Sequence, residues 1–335
     1  MKVISLSTDR HITEVGTVVR KRQEAYAERL GNMTVIVCTR ASNACKESRA
    51  GALRIIPTNS QSSLWYGWDM WKIMRGLEKP DVLSVQDPFE TGLIGALSAW
   101  WWGVPLQVQI HTDFTSKYFA RSSWKNRIRR WIASRVIARA AGIRVVSTRV
   151  AEMLEARGVR VPIQVLPIFV DIQRYAHTAR TKHPRFMAAF VYVGRLESEK
   201  RPQLAIDAIA RARAAGHDAG LTIVGEGSLR PTLEEHARSL GLERYVDFVG
   251  WQTDIGPFLS QADALLFPSR YEGYGLAIVE ALAAGIPVIS TDVGVAREAG
   301  AIVVTPKGFG KAVVEWIARG PRTASLANYP YRYFA

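Results

Sequence analysis

Short β-branched and apolar runs alternate with longer runs of helical period from one end of the chain to the other, and that alternation restricts the fold more than any other feature. A strand followed by a helix, repeated, builds parallel sheets with helices packed on their faces, the α/β architecture. In the first half the runs predict strands at Lys2–Ser7, Met33–Thr39, Leu53–Ile56, Val82–Gln86, Leu106–His111, Ile143–Ser147 and Ile163–Leu166. Helical patterns lie between them, notably Thr17–Leu30, Leu64–Leu77 and Trp124–Ala141. In the second half the expected strands are Met187–Val193, Leu221–Val224, Tyr245–Val249, Ala264–Phe267, Val288–Ser290 and Ile302–Val304. Helices are expected at Arg201–Ala215, Ser228–Leu240 and Leu276–Ala284.

The polar, weakly periodic segment from Pro167 to Pro184 reads as a linker. The expected division is a first domain over 1–170, a linker over 171–184, a second domain over 185–320 and a tail over 321–335. Two parallel-sheet domains joined once predict a cleft, with ligands at the carboxyl ends of the strands. At 335 residues and 48% hydrophobic content the chain can bury real cores, which excludes a disordered protein. The two cysteines, Cys38 and Cys45, cannot build a disulfide framework, which favours a reduced, cytosolic compartment. Met1 to Ser7 is too short an apolar run for a signal peptide. The uncharged stretch from Thr91 to Ile110 is long enough to raise the question of a membrane span. Gly103, Pro105, Gln107 and Gln109 instead divide it into a helix ending at Trp102 and a strand from Leu106.

Three constellations carry chemistry, each at the end of an expected strand of the second half. In Val193-Gly194-Arg195-Leu196-Glu197-Ser198-Glu199-Lys200, two cations precede a helix starting near Pro202, where they could hold a diphosphate and stabilise it as it leaves. The alternative is a solvated loop whose cations pair with Glu197 and Glu199. In Val224-Gly225-Glu226-Gly227 two glycines of a dinucleotide fingerprint are present, but Arg230 stands in place of the third. These glycines would equally suit a tight turn. The third string, Glu272-Gly273-Tyr274-Gly275-Leu276-Ala277-Ile278-Val279-Glu280, puts one carboxylate before a helix and the other about a turn and a half inside it. The glycines let backbone approach a ligand, the helix start favours phosphate, and the carboxylates suit sugar hydroxyls.

These pieces, in this order, resemble the retaining family-4 glycosyltransferases (glycosyl transferases group 1) of the GT-B fold, two Rossmann-like domains facing each other across a cleft. Pro268-Ser269 before the acidic string, and Ala281 with Gly285-Ile286-Pro287-Val288 after it, extend the likeness over most of residues 186–306. The resemblance implies that Arg195 and Lys200 hold the nucleotide diphosphate, that Glu280 holds ribose hydroxyls and that Glu272 contacts the donor sugar. Gly225 and Glu226 belong to the donor side, and backbone N–H groups from Gly273, Tyr274, Gly275 and Leu276 lie against sugar and phosphate. It further implies retention at the anomeric carbon, with the leaving phosphate taking the acceptor's proton. His111, ending its strand before Thr112-Asp113-Phe114, matches a histidine that faces the donor sugar, and Ser147 fits a strand ending in a small polar residue.

Two departures stand out. The family's first loop commonly carries a Gly-Gly pair; here Asp9 to Thr17 holds Gly16 alone. Residues 321–335 do not read as the family's closing helix, so a truncated or divergent carboxyl end is expected. No Asp-x-Asp pair and no metal-ligand spacing occurs, so the expected reaction uses no metal or other cofactor, with Arg195 and Lys200 in the cation's place.

Charge is uneven. Residues 1–170 hold 25 Lys and Arg against 13 Asp and Glu, whereas residues 171–335 hold 19 against 17. Between Phe114 and Ala151 ten cations, including Lys117, Arg121, Lys125, Arg127, Arg129 and Arg130, occur without an acid. Trp124, Ile128, Trp131, Ile132 and Val136 share a helical stripe among them. Such a helix suits an anionic membrane surface, or packs its stripe on the sheet and leaves its basic face solvated. Nucleic acid is not an expected partner, since no reader of bases accompanies the charge.

The expected function is retaining transfer of a hexose from a UDP- or GDP-linked donor to a lipid-linked or cell-envelope glycan, at the cytoplasmic face of the membrane. The alternatives are an inactive sugar-nucleotide-binding GT-B protein or, on charge alone, a nucleic-acid-binding protein.

Overall fold

The computed structural model describes residues 1–330 apart from 177. Its contacts separate two units, one of Met1–Val146 with Ala151–Leu166, the other of Ser147–Val150 with the chain from Pro167 onward.

The first unit holds eight strands: β1 (Lys2–Ser7), β2 (Asn32–Val37), β3 (Ser48–Ala50), β4 (Leu53–Pro57), β5 (Val82–Val85), β6 (Leu106–Ile110), β7 (Gly142–Val145) and β8 (Ile163–Val165). They lie in the order β3-β4-β2-β1-β5-β6-β7-β8. All pair in parallel except β3, which runs antiparallel to β4. The chain steps outward from β1 through β2 to β4, then crosses back to β5, so the winding reverses between β1 and β5. Leu6, Val35, Ile36, Leu83, Val85, Val108 and Ile110 are fully buried along the middle strands, as a sheet covered on both faces requires.

Five helices of this unit follow as α1 (Val18–Leu30), α2 (Tyr66–Arg75), α3 (Glu90–Trp102), α4 (Lys117–Ser122) and α5 (Trp124–Ile137). Thr17 caps α1 by accepting from Arg20 N–H at 3.2 Å, and Gly31 ends it at φ +86°. Helix α3 is apolar and small on its inner side. A Cβ on Gly95 would stand 2.3 Å from the Val85 side chain, so the helix lies flush on β5. A Cβ on Gly92 would meet the Asp87 carbonyl at 2.7 Å and Val136 at 3.2 Å, and one on Gly67 would meet Ile94 at 3.1 Å. Small residues thus draw α5 and α2 against the two flanks of α3.

The second unit holds β9 (Ala188–Val193), β10 (Ala219–Val224), β11 (Val246–Gly250), β12 (Ala264–Phe267), β13 (Val288–Ser290) and β14 (Ile302–Val303), all parallel in the order β11-β10-β9-β12-β13-β14. Its helices are α7 (Gln173–Ala176), α8 (Pro202–Ala214), α9 (Arg230–Ser239), α10 (Gly256–Ser260), α11 (Leu276–Ala283), α12 (Ala296–Ala299) and α13 (Phe309–Arg319); α6 (Thr148–Glu155) spans the division between the units. The winding reverses again, here between β9 and β12. Both units are Rossmann-like parallel-sheet domains.

Three features differ from the expectation. Strand β3 was not anticipated: three polar-flanked residues show no alternation to read. The helix expected over Trp124–Ala141 stops at Ile137, because Ala141 N–H must reach Leu106 O at 2.8 Å to enter β7. The segment read as a polar, weakly periodic linker contains α7, whose Tyr175 is buried. Residues 321–330 form no helix, and Tyr329 within them donates to the Val170 carbonyl at 2.9 Å; the rest of the expected tail, 331–335, lies outside the described residues. No helix among the described residues is long and apolar enough to cross a membrane. The Thr91–Ile110 stretch divides as expected into α3 and β6.

Candidate functional site

In an open parallel sheet the loops after the two strands flanking the reversal diverge, one to each face, and leave a crevice at the carboxyl edge. In the second unit those loops follow β9 and β12, and they carry the first and third constellations. The topology therefore brings Lys200 to Glu272. Its ammonium lies 2.5 Å from Glu272 Oε1, with the side chains only 18% and 10% exposed. Ser269 Oγ donates to the same oxygen at 2.8 Å. Arg270 N–H donates to the Glu199 carbonyl at 2.7 Å, a backbone tie between the two loops. Arg201, next to Lys200, caps α8 in the left-handed region at φ +50°, a conformation costing a side-chain-bearing residue roughly 1–2 kcal/mol. Strain of this kind persists where the surroundings fix a loop against it.

The alternative pairing for the β9 loop holds for one cation and fails for the other. Arg195 pairs with Glu199 at 2.9 Å but remains 69% exposed, poised at the edge. Lys200 bridges loops instead, and Glu197 accepts from Ser228 N–H at 2.9 Å and Ser228 Oγ at 2.8 Å.

The glycines after β10 do more than turn the chain. A Cβ on Gly225 would stand 2.0 Å from the Gly194 carbonyl oxygen, and one on Gly227 would stand 2.5 Å from the Leu196 carbonyl oxygen. The loops after β9 and β10 lie backbone against backbone, joined by Leu196 N–H to Glu226 O at 2.9 Å. Arg230, in place of a third glycine, pairs with Glu226 and with Glu234. No dinucleotide fingerprint is completed there.

In the acidic string, Gly275 caps α11 at φ +99°, ahead of N–H groups that the first helical turn leaves without helix partners. Gly273 and Tyr274 are buried, whereas Leu276 is exposed. Ser147, grouped with this unit, donates to the Gly273 carbonyl at 2.9 Å. Val295 N–H donates to the Tyr274 carbonyl at 2.8 Å, and a Cβ on Gly294 would fall 2.0 Å from that oxygen. Glu280, in the second turn of α11, accepts from the Tyr175 hydroxyl at 3.4 Å. Burial pushes the Glu280 carboxyl above its ordinary value, against opposing contributions from the Tyr175 hydrogen bond and the Arg174 charge. Burial, followed by the nearby Glu280 charge, pushes the Tyr175 phenol up to about 12. It therefore stays a hydrogen-bond donor at any working pH.

In the first unit, His111 follows β6 at the carboxyl edge. Its Nε2 lies 3.4 Å from Gln109 Oε1, which also accepts from Arg144 at 3.3 Å. The ring is open to solvent on one side, yet loss of water on the other, with the Arg144 and Arg22 charges, pushes it down to about 4. It is a neutral imidazole near pH 7. Gly16 turns at φ +88° just before α1, with open space where a Cβ would stand.

The basic residues divide by position. Lys117, Arg121, Lys125, Arg127 and Arg130 are exposed, whereas Arg129 pairs with Glu90 at 2.7 Å. The stripe, which could either meet a membrane surface or pack on the sheet, is split. Val136 packs inward with Ala133 and Ile137, but Trp124, Ile128 and Trp131 face solvent. Most of the stripe therefore lies on the solvent side of the helix, while Val136 sits 3.2 Å from where a Cβ on Gly92 of α3 would stand.

The structure thus gathers Arg195, Lys200, Gly225, Glu226, Glu272 and the backbone from Gly273 to Leu276 at one sheet edge, with Glu280 behind them in α11. Sequence reasoning missed Ser269 as a partner of Glu272, Tyr175 as a partner of Glu280, and Gly294 beneath Tyr274. Only Pro268-Ser269 carried a signal, and it was read as a likeness rather than a contact. Among the described residues no group of His, Cys, Asp and Glu is placed to hold a metal.

Comparison with known proteins agrees with this geometry. Residues 178–318 match the family model described as glycosyl transferases group 1, and residues 13–168 match the glycosyl transferase 4-like domain. The chain is 39% identical over 140 residues to a glycogen synthase of Mycobacterium tuberculosis, covering 41% of this chain and 33% of the relative. It is 37% identical over 133 residues to a GDP-mannose-dependent alpha-(1-6)-phosphatidylinositol dimannoside mannosyltransferase of the same species, covering 37% and 34%. The matches span about a third of those relatives' lengths. Among solved structures, Anabaena HepE in complex with UDP and glucose superposes with a TM-score of 0.68 at 18% identity, over 97% of this chain and 92% of that one. With both units matched in turn and their double Rossmann-like architecture shared, the chain belongs to the group 1, family-4 glycosyltransferases of the GT-B fold.

Proposed function

We propose that the protein transfers a hexose, with retention of configuration, from a UDP- or GDP-linked donor to a lipid-linked or cell-envelope glycan. The observation that carries this reading is the Lys200–Glu272 pair at the reversal point of the second sheet, with Arg195 at its rim. A diphosphate placed there exchanges the carboxylate partner of Lys200 for phosphate oxygens and gains the Arg195 guanidinium. Glu272, released from Lys200, accepts from a sugar hydroxyl, and Glu280 accepts from the ribose. Gly225 and Glu226 flank the nucleotide, and the N–H groups from Gly273 to Leu276 face the leaving phosphate. Gly16 remains a proposed phosphate contact of the first unit, and neutral His111 a hydroxyl ligand. The anomeric carbon–oxygen bond to phosphate breaks, the acceptor oxygen bonds to that carbon, and the acceptor's proton passes to the diphosphate. The cations carry the developing charge, so the reaction uses no metal.

The acceptor class draws on the basic face of α4 and α5 and on the relatives, of which one is named for a phosphatidylinositol dimannoside acceptor. The same features support a cytoplasmic protein held peripherally at the inner face of the cell membrane. Burial, with help from Asp87, pushes the Cys38 thiol up to about 12, so it stays a protonated, unreactive thiol. The rival reading, a sugar-nucleotide binder without transfer, draws on the single glycine of the first loop. Incubation with sugar nucleotides and an envelope extract distinguishes them. Transfer releases nucleoside diphosphate, whereas donor binding with no release from any sugar nucleotide favours the binder.

A further inference from the structure

Helices α3 and α5 carry a concentration of exposed aromatic surface that the sugar-nucleotide site does not use. Trp100 and Trp101 on α3 are 78% and 56% exposed, and Trp124 and Trp131 on α5 are 62% and 58% exposed. Leu93 and Leu97, two turns and one turn before Trp100, continue the α3 stripe, and Ile128 continues that of α5. On the other flank of α3, helix α2 and the turn before it add Trp68 and Trp65. Single exposed apolar residues are ordinary, but a contiguous set on adjoining helices marks a surface that meets something.

Cations are woven through this surface. The Arg135 guanidinium lies 4.9 Å from the Trp131 ring centre, Lys125 6.0 Å from Trp124, and Lys72 5.4 Å from Trp68. Among the described residues, Lys125, Arg127, Arg130, Arg135 and Arg139 form no ion pair. Between α3 and α5 lies a groove of about 200 Å³ with an apolar floor of Leu93, Ala96, Leu97 and Val136. Trp100, Arg135 and Arg139 stand around it.

We propose that this face docks on a membrane rich in anionic glycerophospholipid, with an acyl segment in the α3–α5 groove and the lipid phosphate on Arg135 and Arg139. The chemistry selects this occupant. Tryptophans beside guanidinium groups match the boundary where acyl chains meet phosphate. A second copy of the same face would oppose cation to cation, which disfavours self-association. The inference rests on the membrane part of the proposed function and extends it from the basic helix to a defined lipid groove; it is independent of the transfer chemistry.

The test is flotation of the full chain with vesicles of phosphatidylcholine alone or enriched in phosphatidylglycerol, at low and high salt, with light scattering for oligomeric state. The expected result is binding to the anionic vesicles that weakens with salt. Arg135→Gln with Arg139→Gln should lower vesicle affinity about 30-fold, and Trp100→Ser with Trp131→Ser about tenfold or more, with unchanged circular dichroism melting. Absence of binding to anionic vesicles, wild-type binding by both variants, or a dimer abolished by the tryptophan changes would overturn the proposal. Stabilisation by UDP or GDP, measured on the same samples by thermal shift, separates failure of this face from failure of the donor site.

Discussion

The second unit and the α4–α5 layer of the first hold their cations in opposite ways. In the second unit Lys200, Arg195, Arg230, Arg185 and Arg213 each lie against a carboxylate. On α4 and α5, a run of exposed cations has tryptophans for company and, among the described residues, ion-pairs through Arg129 with Glu90. A compensated cation at a sheet edge is held in position and can exchange its partner for a ligand at low reorganisation cost. An uncompensated field on a helical layer has no such geometry to protect and acts by attraction over a surface. The contrast teaches that net charge and site charge answer different questions: the second unit's balance is nearly neutral, yet it carries the proposed chemistry.

Breaking the compensated pair should have the largest effect. Lys200→Ala should lower transfer by about a thousandfold or more, since a positioned donor to developing charge is worth roughly that much. Because the change leaves the largely buried Glu272 side chain with Ser269 as its remaining hydrogen-bond partner among the described residues, Lys200→Gln is measured beside it, and circular dichroism melting verifies the fold. Wild-type turnover in either variant would place the site elsewhere. Arg195→Ala should cost less, about ten- to a hundredfold in kcat/KM, because its side chain is solvated in the resting protein.

The comparison sharpens at Glu280, an acid held above its ordinary pKa by burial. A raised folded-state value means its contribution to stability is present while it is protonated and is lost as pH rises through the folded value. Glu280→Gln should therefore raise the melting temperature of the unliganded protein at neutral pH while weakening nucleotide-sugar binding. A variant that loses stability and keeps donor affinity would contradict the ribose role. His111 has the opposite sign. Its folded-state value of about 4 lies below the ordinary 6.5, so stability falls as pH drops from 6.5 and levels off below about 4. His111→Asn should flatten that acid limb, read from melting temperature against pH. The smallest effect is expected from a chelator: EDTA should leave turnover unchanged, and abolition of turnover restored by Mg²⁺ or Mn²⁺ would break the assignment of charge neutralisation to Lys200 and Arg195.

Much of the fold was readable because its determinants are local. Apolar runs such as Val82–Val85 announce buried strands, and the glycines at 194, 225 and 275 mark the turns after β9 and β10 and before α11. What escaped was set by tertiary contact. The Lys200–Glu272 pair joins positions 72 residues apart, and Tyr175 meets Glu280 across 105. No spacing encodes either, although a reversal between β9 and β12 brings the first together once strand order is known. Helix α5 shows a second limit. Its period located a stripe at Trp124, Ile128 and Trp131, but periodicity gives a face without saying what the face meets. Gly92, whose missing side chain lets Val136 approach, draws α5 in through its other side.

The central claim is that the Lys200–Glu272 edge of the second unit delivers a sugar from a nucleotide diphosphate. It is tested most directly by nucleoside diphosphate release from UDP- and GDP-sugars with an envelope acceptor extract, comparing wild type with Lys200→Ala and Lys200→Gln. The account predicts acceptor-dependent release by the wild type, nearly lost in both variants while their melting profiles remain cooperative. Acceptor-dependent release that survives in the variants, or no release from any donor by the wild type, would contradict it.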